Sequence, residues 1–458
     1  MRDRLSYAGH MRALLVLGLP LVGSHVAQMA LHVTDTVMLG WYSVDALAAV
    51  VLGQSSFFLV FILGSGFAFA VMPMVAAALG RGDEAQARRD TRMGMWLSIL
   101  FALATYPLFW WSGPILRALG QDPHISDLAQ DYLRIAGTGM TAALLVMVLK
   151  SFLSSLERAG IVLWATVAGL FFNILVNWML IFGNWGAPEL GLRGAAIASV
   201  VTQTLTFVLL ALYAALVPVA RRFTLFARFW RPDWPAFVQV WRLGWPIGLT
   251  GVAEGGLFQA SALMMGWIGT VELAAHGIAI EVAGLAFMVH LGLSNAATVR
   301  VGRADGRGDM VGLRDGALTA IGMSLAFGLC IVVLFLTVPG FIVSLFLDTT
   351  QPRAPDIIAF GTLLLAVAAL FQIFDAMQCM ALGLLRGVQD TNGPMWIAAF
   401  SYWVVGVPAS YVLAFPLGLG GPGLWLGLVV GLALAAVLLL LRFWRGRGRA
   451  APPEAAIS

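Results

Sequence analysis

Along this chain, apolar stretches of roughly 20 residues, the length that crosses bilayer hydrocarbon as a helix, recur twelve times with short polar breaks between them. They fall near 13–37, 47–70, 93–113, 132–154, 161–183, 194–217, 243–267, 273–297, 317–339, 357–382, 395–416 and 422–442. The pattern predicts an all-α integral membrane protein with twelve transmembrane helices. The first stretch lacks a cleavage-site pattern and has a counterpart in the seventh, so it reads as a retained helix and not a signal peptide.

The second half of the pattern rewrites the first. Shifted by 226 residues, Leu17-Gly18-Leu19-Pro20 falls on Leu243-Gly244-Trp245-Pro246, and Met38-Leu39-Gly40-Trp41 on Met264-Met265-Gly266-Trp267. In the same register Gly80-Arg81-Gly82-Asp83 meets Gly306-Arg307-Gly308-Asp309. Apolar helices match by chance at Leu and Ala, but not at Trp, Pro and a whole GRGD loop. Six helices per half is an even number, so both halves insert the same way, as parallel repeats about an axis along the membrane normal. The expected organisation is two six-helix bundles: an amino-terminal lobe over 1–220, a cytoplasmic linker over 221–242, a carboxy-terminal lobe over 243–442 and a cytoplasmic tail over 443–458, disordered after Trp444. A duplicated membrane bundle points to a secondary transporter whose cargo is held between halves that rock against each other.

Composition agrees with the pattern: 60% of the 458 residues are hydrophobic and 11% charged, against about 25% charged in soluble proteins. The net charge of +4 invites a nucleic-acid reading, which the distribution of charge removes. With the amino terminus in the cytoplasm, inner segments hold 23 Lys and Arg, and outer loops only Arg117, Arg134, Arg193 and Arg353. That bias sets both termini inside and turns the basic excess toward anionic membrane lipids. Cys330 and Cys379 both lie in apolar runs, where packing is their expected role, with neither a disulfide framework nor a metal site. The chain carries no HExxH, GxSxG elbow or P-loop, so an enzyme is not expected.

Against this background each ionisable group at depth is a question. Four acids fall inside apolar runs: Asp35, Glu254, Glu281 and Asp375. Each costs about 2.5–3.5 kcal/mol near a helix centre on insertion scales, roughly 10 kcal/mol together. The sequence shows no Lys or Arg at comparable depth, and unpaired acids are what a site for a proton, a metal cation or an organic cation requires. Glu254 stands in Gly251-Val252-Ala253-Glu254-Gly255-Gly256, where missing side chains leave room for water or a ligand. His25, Gln28, His32 and Asp35 follow one helical face at spacings of 3, 4 and 3, read either as packed polar residues or as a proton-responsive face. Gln28 aligns with Glu254, and Asp35 with Ser261. Asn173 and Asn177 share a face at i, i+4, for interhelical hydrogen bonding or to complete an oxygen-lined cavity with Asp35. Phe258, Phe287, Met288, Phe371 and Phe374 near the acids are core residues or cation–π and soft apolar contacts for a bulky cation.

Several pieces in fixed order resemble the multidrug and toxic compound extrusion (MATE) family, in its NorM-type bacterial branch, from about residue 12 to 440. They are Thr34-Asp35-Thr36-Val37-Met38-Leu39-Gly40, Phe172-Asn173-Ile174-Leu175-Val176-Asn177-Trp178, Gly194-Ala195-Ala196-Ile197-Ala198-Ser199, Arg300-Val301-Gly302-Arg303, Phe371-Gln372 and Leu385-Arg386-Gly387. The resemblance implies an antiporter of the bacterial inner membrane that exports cationic, amphipathic drugs by alternating access, driven by H⁺ or Na⁺, as a monomer without cofactors. It maps an amino-lobe cation site onto Asp35, Asn173, Asn177 and Ser199, and carboxy-lobe acids onto Glu254 and Asp375. Under sodium coupling, Asp35, Glu254 and Asp375 are the expected metal ligands. Substrate contacts are expected from Glu254, Asp375, Gln28, Glu281, Phe258, Phe287, Met288 and Phe371. Glu281 and Gly277 depart from the branch, which expects uncharged amides there. A lipid-linked oligosaccharide flippase of the related superfamily is the alternative, and it favours a cationic cavity.

Overall fold

The computed structural model describes residues 6–347 and 352–446; the tail expected to be disordered lies, beyond Gly446, outside them. Among the described residues twelve long helices follow in order: α1 Tyr7–Tyr42, α2 Val44–Arg81, α3 Glu84–Trp110, α4 Pro123–Ser155, α5 Ala159–Phe182, α6 Leu192–Leu216, α7 Trp234–Ile268, α8 Thr270–Arg307, α9 Met310–Thr337, α10 Ala354–Gly387, α11 Asn392–Ala414 and α12 Gly420–Arg445. Eleven are both long and apolar enough to cross a membrane. The other, α7, has the length, but its Gly-rich centre carries Glu254 and Gln259 and dilutes its hydropathy. Large apolar side chains such as Leu103, Trp164, Phe171 and Val333 stay exposed on the surface. A surface of that kind is stable against lipid and unstable in water.

The repeated GRGD loops are helix stop–start signals. Gly82 and Gly308 take left-handed φ of 77° and 71°, a conformation glycine adopts without steric cost. The next residue caps the following helix: Asp83 Oδ1 accepts from Gln86 N at 2.9 Å and Asp309 Oδ1 from Gly312 N at 2.8 Å. Such a cap is worth about 1 kcal/mol.

The chain forms two compact units. One contains residues through Val22 together with those from Leu249 on; the other contains Gly23–Gly248. The first turns of α1 and of α7 therefore pack apart from the rest of their own helices, and they do so in the same way. In one unit a Cβ added to Gly18 would meet Leu293 Cδ2 at 3.1 Å; in the other a Cβ on Gly244 would meet Phe67 Cα at 2.8 Å. Those two pairs are equivalents under the 226-residue shift, so the duplication seen in the sequence is repeated contact by contact.

The stretch read as a linker is shorter than 221–242. Helix α7 begins at Trp234, because Pro235 falls in the first turn, where no backbone N–H is required. Asp233 supplies the cap, accepting from Ala236 N at 3.2 Å and pairing with Arg89. The remaining turns are pinned to α3: Arg92 donates to the carbonyls of Thr224 and Leu225, both at 2.6 Å, and Trp96 Nε1 to that of Phe229 at 2.9 Å.

Candidate ion and substrate sites

In the Gly23–Gly248 unit, three helices bring their polar residues onto one carboxylate. Asp35 of α1 is 3% exposed. Its Oδ1 accepts from Asn177 Nδ2 of α5 at 2.6 Å, and its Oδ2 from Ser199 Oγ of α6 at 2.8 Å. One turn back, Asn173 Oδ1 accepts from the same Asn177 amide at 3.0 Å. Asn173 and Asn177 are fully buried, and Asn177 Oδ1 has no partner among the described residues. A carboxylate with a spare amide oxygen beside it, out of bulk water, is a set of hard oxygen donors suited to Na⁺ or to a proton. His32 lies close enough for its charge to act on Asp35. The structure also adds Tyr132 of α4, buried and bonded to Gln54 and Ser199. Beside Asp131 and Arg134 at the edge of its run, Tyr132 reads in sequence as an interfacial aromatic.

The other unit gathers a second cluster from α7, α10 and α11. Asp375 is 2% exposed, and its Oδ1 has no partner among the described residues. Glu254 is half-buried, and the charges of the two carboxylates act on each other. Gln378, one turn beyond Asp375, bonds Glu254 and donates to the Tyr402 hydroxyl at 2.5 Å. Tyr402 stands in a π-helical turn, Phe400–Gly406, the kind of local widening found at functional sites. In the same turn Trp403 Nε1 donates to the Ala253 carbonyl at 3.1 Å, and its ring lies over Gly256. Gly255 faces open space. Trp403 thus packs on α7 beside Glu254. Sequence reading missed Tyr402 because helical periodicity does not register a π turn, and missed Gln378 although its spacing of three from Asp375 places both on one face of α10.

The remaining sequence candidates are dispersed. Phe371 is 2% exposed, packed edge-on between Phe258 and Trp425. Glu281 is exposed and takes no part in the charge interactions of Glu254 or Asp375. Phe287 and Met288 are half-buried on α8. Gln28 accepts a hydrogen bond from Lys150 Nζ at 3.2 Å. That last contact corrects the expectation that no basic group reaches the depth of the acids: Lys150 is 8% exposed and meets α1 near its middle. A second correction is Arg386, whose charge acts on Glu254. Both cations stand near the carboxy-terminal ends of their helices, but a helical side chain leans back toward its own amino terminus, into the bundle.

A duplicated, multi-pass helical bundle with buried carboxylates in both halves belongs to the class of membrane transporters. The MatE family model matches residues 20–179 and 246–412. The chain belongs to this family, the MATE transporters. It is 47% identical over 440 residues to a probable multidrug resistance protein NorM of Rhizobium meliloti (strain 1021), covering 96% of this chain and 94% of that one. It is 38% identical over 436 residues to a protein of the same description from Pseudomonas aeruginosa, covering 95% and 89%. The fold matches a crystal structure of MATE in complex with MaL6 at a TM-score of 0.86, with 21% identity and 96% of each chain covered. It also matches the eukaryotic MATE transporter AtDTX14 at 0.85, with 20% identity and 97% and 98% covered.

Proposed function

We propose that this protein is a cation-coupled antiporter that exports organic, mostly cationic amphipathic drugs across the bacterial plasma membrane, with both termini cytoplasmic. The reading is supported chiefly by the two separate sets of buried carboxylate oxygens, around Asp35 and around Glu254 and Asp375, that lack a full complement of partners. Multidrug resistance in the names of NorM relatives at 47% and 45% identity supports the drug substrates. In this mechanism the ionised acids attract a cationic drug while access is from the cytoplasm. After access switches, an external H⁺ or Na⁺ takes the carboxylates and the drug leaves. The coupling ion can bias the switch only by its differential affinity for the two states. It is cargo rather than a resident cofactor, and the protein works as a monomer in membrane lipid. The flippase alternative requires a cationic cavity, and the two basic groups at depth, Lys150 and Arg386, are outnumbered by the acids Asp35, Glu254 and Asp375.

Efflux of ethidium from inverted vesicles, with pH and Na⁺ gradients varied separately, tests the proposal. Glu254→Gln and Asp375→Asn are expected to abolish drug resistance while the protein stays in the membrane. Unchanged resistance in both variants defeats the site assignment.

A further inference from the structure

The connection between α6 and α7 is basic and aromatic in a way that the transport cycle does not use. From Arg221 to Asp233 it holds four arginines and a single acid, Asp233, which Arg89 of α3 neutralises. Arg222 reaches Glu84 at 3.2 Å. Arg228 and Arg231 are exposed and pair with no acid among the described residues. Their placement is imposed by the backbone. Phe223 and Leu225 are buried, and the carbonyls of Ala227 and Phe229 are held by Arg92 and Trp96 of α3. Pinned on both sides, Arg228 takes a left-handed φ of 54°, a conformation that disfavours any residue with a β-carbon. Arg231 N then donates to the Arg228 carbonyl at 3.1 Å, so the two arginines open and close one turn. Trp230 lies between them, 71% exposed.

An apolar stripe continues from this turn. Trp234, Val238 and Trp241, spaced by 4 and 3 residues, share one face of α7, and all three are exposed. Trp241 is stacked on Phe67 with ring centroids 5.3 Å apart, which fixes the far end of the stripe. Under the 226-residue shift the equivalents are Ala8, Arg12 and Leu15, so the repeated scaffold does not demand aromatic residues there. Two unpaired guanidiniums beside exposed indoles, continued by an apolar stripe, match the successive parts of one phospholipid. A guanidinium forks onto two phosphate oxygens, an indole is favoured at the headgroup level, and the stripe can lie along acyl carbon.

We infer that the connection between α6 and α7 is a binding site for an anionic phospholipid, with Arg228 and Arg231 on its phosphate and Trp230, Trp234 and Trp241 along its glycerol and acyl chain. The occupant is a lipid and not a soluble phosphate, because the arginines adjoin an exposed apolar face that a soluble ion would leave bare. The site depends neither on the cargo nor on the coupling ion.

A matched pair of lipids tests it. Purified full-length protein in detergent is titrated with phosphatidylglycerol or with phosphatidylcholine carrying the same acyl chains, and retained lipid is counted by native mass spectrometry. Arg228→Gln together with Arg231→Gln is expected to lower phosphatidylglycerol affinity by about thirtyfold, roughly fivefold for each charge, and to leave phosphatidylcholine within about twofold. Arg228→Lys with Arg231→Lys is expected to recover much of the loss, since the charge is kept and only the fork is lost. Trp230→Ala with Trp234→Ala is expected to weaken both lipids alike. Arg228→Gly, which suits the left-handed backbone, guards against a loss caused by misfolding: it should melt no lower than wild type and still lose about fivefold for phosphatidylglycerol. A charge-matched control, Arg307→Gln with Arg445→Gln, removes two exposed arginines elsewhere and should keep the wild-type lipid ratio. An unchanged ratio in the Arg228, Arg231 variant overturns the inference. An equal fall in the control overturns it as well, because net charge alone would then select the lipid. Full displacement of phosphatidylglycerol by millimolar inorganic phosphate also overturns it, since the arginines would then hold a bare anion.

Discussion

Asp35→Asn is the sharpest probe of the amino-terminal cluster, because the structure predicts a folded protein without coupling. The wild-type carboxylate accepts from Asn177 on one oxygen and from Ser199 on the other. In the variant, the amide oxygen can keep the bond from Asn177, and the new NH₂ can donate to Ser199, whose hydroxyl rotates to accept. Two charge-assisted bonds become two neutral ones, a loss of about 1 kcal/mol each. Removing a buried charge offsets part of that loss. The net change should stay within about 2 kcal/mol, a few degrees in melting temperature for a unit of this size. The amide binds neither a proton at physiological pH nor Na⁺ with any strength. Gradient-driven ethidium accumulation in proteoliposomes should therefore vanish, whichever ion is imposed, while the melting temperature in detergent barely moves. Accumulation at the wild-type rate would refute the assignment of Asp35 as the coupling acid. Normal accumulation is not the only damaging result: a collapse of the fold would show that the hydrogen-bond exchange was misjudged.

Two predictions concern the scaffold. Gly66→Ala and Gly292→Ala occupy equivalent positions of the duplication, and their new methyl groups would meet Gly248 Cα at 2.8 Å and Val22 Cα at 2.9 Å. Each should destabilise by about 1–3 kcal/mol through overpacking, and detergent melting curves showing a loss in one but not the other would break the equivalence. The Arg89 hydrogen bond lowers the Asp233 carboxyl below its ordinary value, so this pair stabilises the fold above the carboxylate range and its contribution disappears as pH falls through the lowered value. Arg89 is 44% exposed, so Arg89→Gln should cost no more than about 1 kcal/mol at neutral pH. The difference from wild type should close on acidification; a gap that widens instead contradicts the pairing.

The transmembrane helices were legible in the sequence because lipid demands long apolar segments, and the duplication was legible because Trp, Pro and a glycine-rich loop rarely coincide. Helical spacing put Asn173 and Asn177 on one face, and the resemblance supplied their grouping with Asp35 and Ser199. What escaped reading lies in side-chain direction and local backbone. Lys150 sits near the end of its helix, five residues before Ser155, where a cation reads as facing the cytoplasm. Its long side chain instead leans back along the helix and reaches Gln28. Tyr402 escaped because it stands inside a π turn, Phe400–Gly406, where the face a residue presents departs from the regular helical one. Phe371 looked like a ligand contact because it precedes Asp375 by one turn, yet edge-on packing against Phe258 and Trp425 places it in the core.

The two halves preserved their backbone contacts and let their polar chemistry diverge. Where α1 carries Asp35, the equivalent position of α7 is Ser261, whose hydroxyl lies 3.4 Å from His276 Nε2, while His276 Nδ1 accepts from Trp425 Nε1 at 3.1 Å. That chain of buried partners leaves no oxygen free for an ion. Conversely, where α7 carries Glu254, α1 has Gln28, turned to Lys150. The clusters share no residue, so a change in one should perturb binding at the other by no more than about 0.5 kcal/mol, roughly twofold in affinity. Asp35→Asn should therefore abolish gradient dependence and leave ethidium binding in detergent nearly intact. Glu254→Gln should weaken that binding directly, since it removes a half-buried carboxylate. Equal losses of ethidium affinity in the two variants, measured by anisotropy without any gradient, would mean that both acids contact the drug and that the division of labour between them is wrong.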